Sequence, residues 1–177
     1  VAQSVPHVAP PTTTHIERQA MSLLKQITAL LIFIFASTSF HAHAAQADDL
    51  VGYWYTAEKE SIVHVTKSGH TYGGQIVWLK EPNFKAGHAQ AGQPVTDVNN
   101  PEAKLKTRSI IGLPIAWGMK FDGDDTWEGG RVYDPKTGKT YQGKMWMDDA
   151  NTLNLKGFVG VSVLGRSSKW TRTTAPK

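Results

Sequence analysis

The 177-residue sequence predicts an all-β protein, a small up-and-down (meander) β-barrel of about eight strands. Three observations lead there. From residue 52 onward apolar and polar residues alternate in short runs, each closed by a turn rich in Gly, Asp, Asn or Pro. All 16 glycines and all 6 tryptophans lie in that part, and barrels use glycine at their corners and aromatic rings to fill the space between. Finally, the runs are bracketed by Gly52-Tyr53-Trp54 and Trp170-Thr171-Arg172. A glycine that lets the first strand pass closely, with a late arginine stacked on the Trp54 indole, would seal one end of a closed barrel.

What precedes the barrel reads differently. Residues 1–20 lie upstream of the first methionine, carry Pro10-Pro11 and no periodicity, and are read as a non-native extension ahead of a start at Met21. Residues 21–47 have the three parts of a secretory signal peptide: a lead with Lys25, an uncharged apolar stretch from Ile27 to Phe40, and small residues at Ala42-x-Ala44 and Ala45-x-Ala47. A spanning helix needs about 20 apolar residues, so no permanent membrane span is expected after cleavage. Cleavage after either Ala44 or Ala47 satisfies the small-x-small rule. The expected location is the periplasm. With no cysteine anywhere, neither a cysteine-borne lipid anchor nor a disulfide is available, and the fold must hold by packing.

Residues 48–177 then form a single domain, long enough to bury a sizeable core. Arg18, Lys25 and Glu17 are the only Lys, Arg, Asp or Glu before Asp48, so 17 basic and 14 acidic residues remain, net +3. These charges are interspersed and form no basic stripe with interleaved aromatics, which argues against nucleic acid.

The strands follow in order. Gly52 to Thr56 and Ser61 to Lys67 are rich in the Val, Ile, Thr and aromatic residues that strands favour. After the turn Ser68-Gly69-His70, Thr71 to Lys80 alternates with Tyr72, Gly74, Ile76 and Trp78 on one face and Gln75, Val77 and Leu79 on the other. Apolar residues on both faces point to a covered outer side or a surface for self-association. Glu81 to Lys106 is a long connection, expected as a lid across the barrel mouth or a passive excursion. Thr107 to Phe121 resumes strand with a bend near Gly112 and Pro114, because proline cannot donate to a ladder. Trp127 to Tyr133, Lys139 to Met147, Thr152 to Val159 and Lys169 to Thr173 complete the set, joined by Asp- and Gly-bearing turns.

Taken together, Gly52-x-Trp54, Gly74-Gln75-Ile76-Val77-Trp78-Leu79, Asp97-x-Asn99-Asn100-Pro101, Trp127-Glu128-Gly129-Gly130, Tyr133-Asp134-Pro135-x-x-Gly138-Lys139-x-Tyr141 and Trp170-Thr171-Arg172 resemble the bacterial domain-of-unknown-function family DUF2147. The resemblance spans essentially all of the chain after residue 47. It implies an exported, lipocalin-like (calycin) barrel with no established activity. Gly52, Trp54, Trp170 and Arg172 are then similar to the set that closes a lipocalin base. The sequence departs from lipocalins in lacking cystines and in leaving little room for the C-terminal helix after Arg172.

Motifs for chemistry are weak. Gly138-Lys139-Thr140 resembles the end of a phosphate-binding loop, but Tyr133 stands where that loop needs glycine, and a strand follows instead of a helix. His64, His70 and His88 have no metal-ligand spacing, and Asp122-Gly123-Asp124-Asp125 and Asp148-Asp149 are turn residues without the glutamate that ends a calcium loop. No metal or cofactor is expected. Glu58, Glu60, Glu128 and Asp134 could form a carboxylate pair in space, which keeps an enzyme as a third reading. The leading expectation is binding of a small apolar or amphiphilic molecule by Trp78, Trp117, Met119, Phe121, Trp127, Tyr133, Tyr141, Met145 and Met147 on inward faces, with Arg131, on the face of Trp127 and Tyr133, meeting an acidic head group. The alternative is a structural or protein-interaction component of the envelope, a homo-oligomer included.

Overall fold

The computed structural model describes residues 46–161 and 165–177, which belong to a compact unit spanning Ala44–Lys177. The upstream extension, and the signal peptide as far as Ala45, lie outside the described residues. Eight antiparallel strands follow in chain order: β1 (Gly52–Tyr55), β2 (Ser61–Ser68), β3 (Thr71–Leu79), β4 (Pro114–Phe121), β5 (Thr126–Asp134), β6 (Lys139–Asp149), β7 (Thr152–Phe158) and β8 (Arg166–Thr173). Each pairs with the next, and β8 returns to pair with β1, so the sheet closes into a meander barrel and leaves no open edge. One 3-10 turn, Ala103–Leu105, lies in the β3–β4 connection. Among the described residues no helix is long and apolar enough to cross a membrane.

Two boundaries differ from the sequence-based expectation. The strand expected from Thr107 begins only at Pro114, because residues 107–113 join the connection, where Thr96 and Ser109 form an isolated bridge. At the other end β8 starts at Arg166 instead of Lys169, pairing Arg166 with Gly157.

The expected faces also change at three bulges, and the reason is the same each time. An extra residue in one strand shifts the register by one and turns every later side chain to the opposite face. In β3 the register against β2 shifts between Ile62 and Val63: Val63 pairs with Ile76 but Ile62 pairs with Trp78. Trp78 therefore leaves the face of Ile76 and meets Tyr55 edge-on at 6.1 Å on the outside, while Leu79 packs on the core. In β4, Gly118 has a φ of 71° at a shift against β3, so Trp117 is 40% exposed and Met119 fully buried. In β5, Gly129 has a φ of 77° at a shift against β6, so Trp127 is buried and Arg131 is exposed. Only glycine takes such a φ without cost.

One end of the barrel is filled and sealed. Trp54, Val63, Val65, Met119, Trp127, Met145 and Leu153 are fully buried there. Residues 46–51 form a turn across this base, with Asp49 N–H bonded to Gln46 O at 2.9 Å and Val51 N–H to Asp48 O at 3.0 Å. The Trp127 indole donates to Ala47 O at 2.9 Å and the Trp54 indole to Leu50 O at 2.8 Å. Arg172 lies 4.1 Å from the Trp54 ring centroid and donates to the carbonyls of Ala150 (2.6 Å), Val51 (3.2 Å) and Asp49. A Cβ on Gly52 would stand 3.0 Å from Arg172 Nη1, which explains the glycine two residues before Trp54.

Candidate functional site: a half-open barrel

At the opposite end the interior is empty. A cavity of about 620 Å³ opens between the β1–β2, β5–β6 and β7–β8 connections, within the size range of small-molecule sites. Its walls are the buried side chains of Ile115, Val132, Leu155 and Trp170. Its rim carries the exposed residues Glu58, Glu60, Lys136, Lys139, Val159 and Arg166.

The period of two places these groups. On β8, Trp170 is buried, so Ser168 and Arg166 share its inward face and climb from the wall to the rim. On β6, Met145 is buried in the filled half, and Tyr141 and Lys139 follow on the same face into the cavity. The Ser168 hydroxyl accepts the Trp170 indole N–H at 2.9 Å, which leaves its own proton free to donate.

The β3–β4 connection contributes none of the cavity's lining residues. In place of a lid over the mouth, it is a folded strap bound to the side of the barrel. Asp97, with no exposed surface, accepts hydrogen bonds from Tyr133 Oη (2.7 and 2.8 Å), Asn100 Nδ2 (2.8 Å) and Arg108 Nε (2.9 Å), and pairs with Arg108 Nη2 at 2.8 Å. Burial, first of all, pushes the Tyr133 hydroxyl above its ordinary pKa, and the bond to Asp97 adds to that, so it remains a donor to the carboxylate. Asn99 Nδ2 donates to the carbonyls of Pro135 and Lys136, both at 3.1 Å, and so holds the β5–β6 turn that forms part of the rim.

Of the ten residues expected to face a ligand, Tyr141 lines the cavity from an inward position, and Tyr133 borders it while its ring, on the outward face shared with Arg131, reaches Asp97 of the strap. Met119, Trp127 and Met145 fill the closed half, with Phe121 and Met147 packed against that core. Trp78, Trp117 and Arg131 take the outward positions set by the bulges. Trp170, assigned from sequence to closing the base, lines the cavity, while Trp54, Gly52 and Arg172 meet at the base. Ser168, Arg166, Leu155 and Lys139 were missed as site residues. Extending the alternation backward from Trp170 would have found the first two.

Three of the carboxylates considered for catalysis do come together: Glu58, Glu60 and Asp134 line the rim, and Glu128 instead pairs with Lys144 at 3.6 Å. Lys136 hydrogen-bonds Glu60 at 3.1 Å and holds its carboxyl below the usual range. A general acid needs the opposite shift. Asp134 accepts from Lys136 N–H (2.9 Å) and Thr137 Oγ1 (2.9 Å) in its own turn. Among the described residues no group of three or more His, Asp or Glu side chains is placed to hold a metal ion.

Comparison with known proteins matches this architecture. A Helicobacter pylori protein, HP1028, whose structure is described as belonging to the lipocalin family, is similar with a TM-score of 0.59 and 21% identity, over 71% of this chain and 83% of that one. At that identity the likeness concerns the fold. No curated protein matches the chain. The model of the family described as "Uncharacterized protein conserved in bacteria (DUF2147)" matches residues 52–172, the whole barrel from the Gly52 that clears the base to the Arg172 that seals it, and the chain belongs to that family.

Proposed function

We propose that this protein is exported to the periplasm and there holds a small apolar or amphiphilic molecule in the open half of its barrel. The observation that carries the reading is the division of the interior. The base is packed to full burial around Trp54, Met119, Trp127 and Met145, whereas the mouth half is a cavity of about 620 Å³ with apolar walls and polar groups gathered at the rim. A barrel that served only as a scaffold would gain stability by filling that half as well, since each empty methyl-sized space costs about 1 kcal/mol. The signal-peptide pattern read in residues 21–47 supports the location.

Native mass spectrometry of protein purified from its own cells tests the proposal, together with titration of a neutral lipophilic probe, N-phenyl-naphthylamine. A co-purifying small molecule and a change in tryptophan emission through Trp170 are expected. Protein that carries nothing and leaves the probe unbound would overturn the reading.

A second reading, a protein contact in the envelope, rests on the outward aromatic pair Tyr55 and Trp78 on β1 and β3 and on the exposed Trp117 of β4. Crosslinking in intact envelopes and light scattering check it; a strictly monomeric protein without a crosslinked partner would contradict it.

A further inference from the structure

The charges at the cavity mouth are unevenly paired. On the β1–β2 and β5–β6 turns, Glu60 and Lys136 form an ion pair at 3.1 Å. Glu58 and Asp134 add their fields to the same lysine, and all three carboxylates hold it protonated. Three acidic groups of the rim thus act on one cation, with Asp134 also standing opposite Lys139 across the β5–β6 ladder.

The β6 and β8 side is different. Lys139 and Arg166 both line the cavity, and no ion pair to either is found among the described residues. Lys139 stands one inward step above Tyr141, and Arg166 one inward step above Ser168. Between these strands Arg166 pairs with Gly157, which presents no side chain. A Cβ at Gly157 would lie 3.3 Å from Tyr141 Cβ, so the missing side chain lets the tyrosine pack over this position, one inward step above Leu155.

From this geometry we infer that the occupant is an amphiphile with an anionic head, a carboxylate or a phosphate monoester, held by Arg166 and Lys139 at the rim while its apolar body lies against Ile115, Val132, Leu155 and Trp170. The inference rests on the binding function proposed above and adds the class of ligand. A guanidinium fork matches the planar oxygens of either head group, and Lys139, two inward steps nearer the mouth on β6, adds a point charge. The Ser168 hydroxyl, its oxygen already engaged by Trp170, supplies a further donor just below. A cationic head would meet two like charges here, and a neutral one would desolvate them without return.

The test compares four ligands of one chain length, laurate, dodecyl phosphate, methyl laurate and dodecyltrimethylammonium, by calorimetric titration of the wild-type protein and of the double variant Arg166→Gln/Lys139→Gln. Both anions are expected to bind about tenfold or more tighter than the ester, with the ammonium weakest; the tighter anion identifies the head group. In the double variant the advantage of the anions should collapse to within about twofold, with circular dichroism checking that the barrel remains folded. Equal binding of ester and anions by the wild type, or a double variant that keeps the preference, would overturn the inference while leaving the binding function standing. Inorganic phosphate that displaces laurate would likewise overturn it, by showing a simple anion site with no use for the chain. Failure of all four ligands to bind would instead refute the binding function itself.

Discussion

Arg172 does at one position what several side chains would otherwise share. Its guanidinium covers the Trp54 ring and hydrogen-bonds three backbone carbonyls from two different segments, the 46–51 turn and the β6–β7 turn. Arg172→Ala removes the stacking and leaves those carbonyls to water. We expect a loss of about 2 kcal/mol or more in denaturant unfolding, with unchanged affinity for any cavity ligand, because the base and the cavity are opposite ends of the barrel. A variant that melts normally but loses binding would contradict that division. Asp97 plays the matching role for the strap. Replacing it by Ala leaves the partly exposed Arg108 charge unpaired and the buried Tyr133 hydroxyl without its acceptor, while Asn100 Nδ2 keeps only its bond to Tyr133 Oη. The expected cost is about 3 kcal/mol, with faster hydrogen exchange confined to residues 81–113; exchange that rises uniformly over the barrel would show that Asp97 holds the core instead.

Individual strands were legible in the sequence wherever alternation was uninterrupted and turns carried Gly or Asp. β2, β6 and β7 match their expected spans closely, and so does the β1–β8 closure. What the sequence did not show was the inward face beyond a bulge. Gly118 and Gly129 are visible as glycines, but a glycine in a strand also serves close packing, as Gly143 does where a Cβ would collide with Met119 and Val132 side chains. The two uses cannot be told apart without the partner strand. Trp117 and Arg131 were therefore placed on the wrong side of their bulges, and the ligand set drifted toward the filled half.

The turn at residues 46–51 closes the barrel base, although its first two residues fall within the segment 21–47 that reads as a signal peptide. Because the Trp127 indole donates to Ala47 O, cleavage after Ala47 would remove the acceptor of a partly buried donor, at a cost of about 1–3 kcal/mol. We expect processing after Ala44, so N-terminal sequencing of mature protein should begin at Ala45; a sequence beginning at Asp48 would contradict this. The same turn carries a pH dependence. Hydrogen bonds from Lys67 (2.7 Å) and Tyr72 hold the Asp48 carboxyl below its usual value of 3.8. A depressed carboxylate contributes stability that is complete above its unfolded value and is lost as pH falls through the lower folded value. Asp48→Asn should therefore lower the melting temperature at neutral pH, and the gap from wild type should close in acid as pH falls below that usual value. A gap that persists at the lowest pH would show that shape, not charge, matters at this position.

At the scale of the whole molecule, the barrel has a filled half and an open half. Large buried side chains around the Trp54–Arg172 seal make one half rigid without disulfides. The other half gives up packing to keep a cavity whose rim is braced by the strap through Asn99 and by the Glu60–Lys136 pair. The fold class, the strand order and the sealed base could be read from the chain. The location of the empty half could not, since it depends on which way each strand faces after its bulge. The most direct test of this division is titration of N-phenyl-naphthylamine into wild type, Ser168→Phe and Arg172→Ala. A phenyl ring at position 168 enters the cavity at a stability cost of about 1 kcal/mol. The division predicts saturable binding by wild type and Arg172→Ala and none by Ser168→Phe. Undiminished binding by a folded Ser168→Phe protein would contradict it.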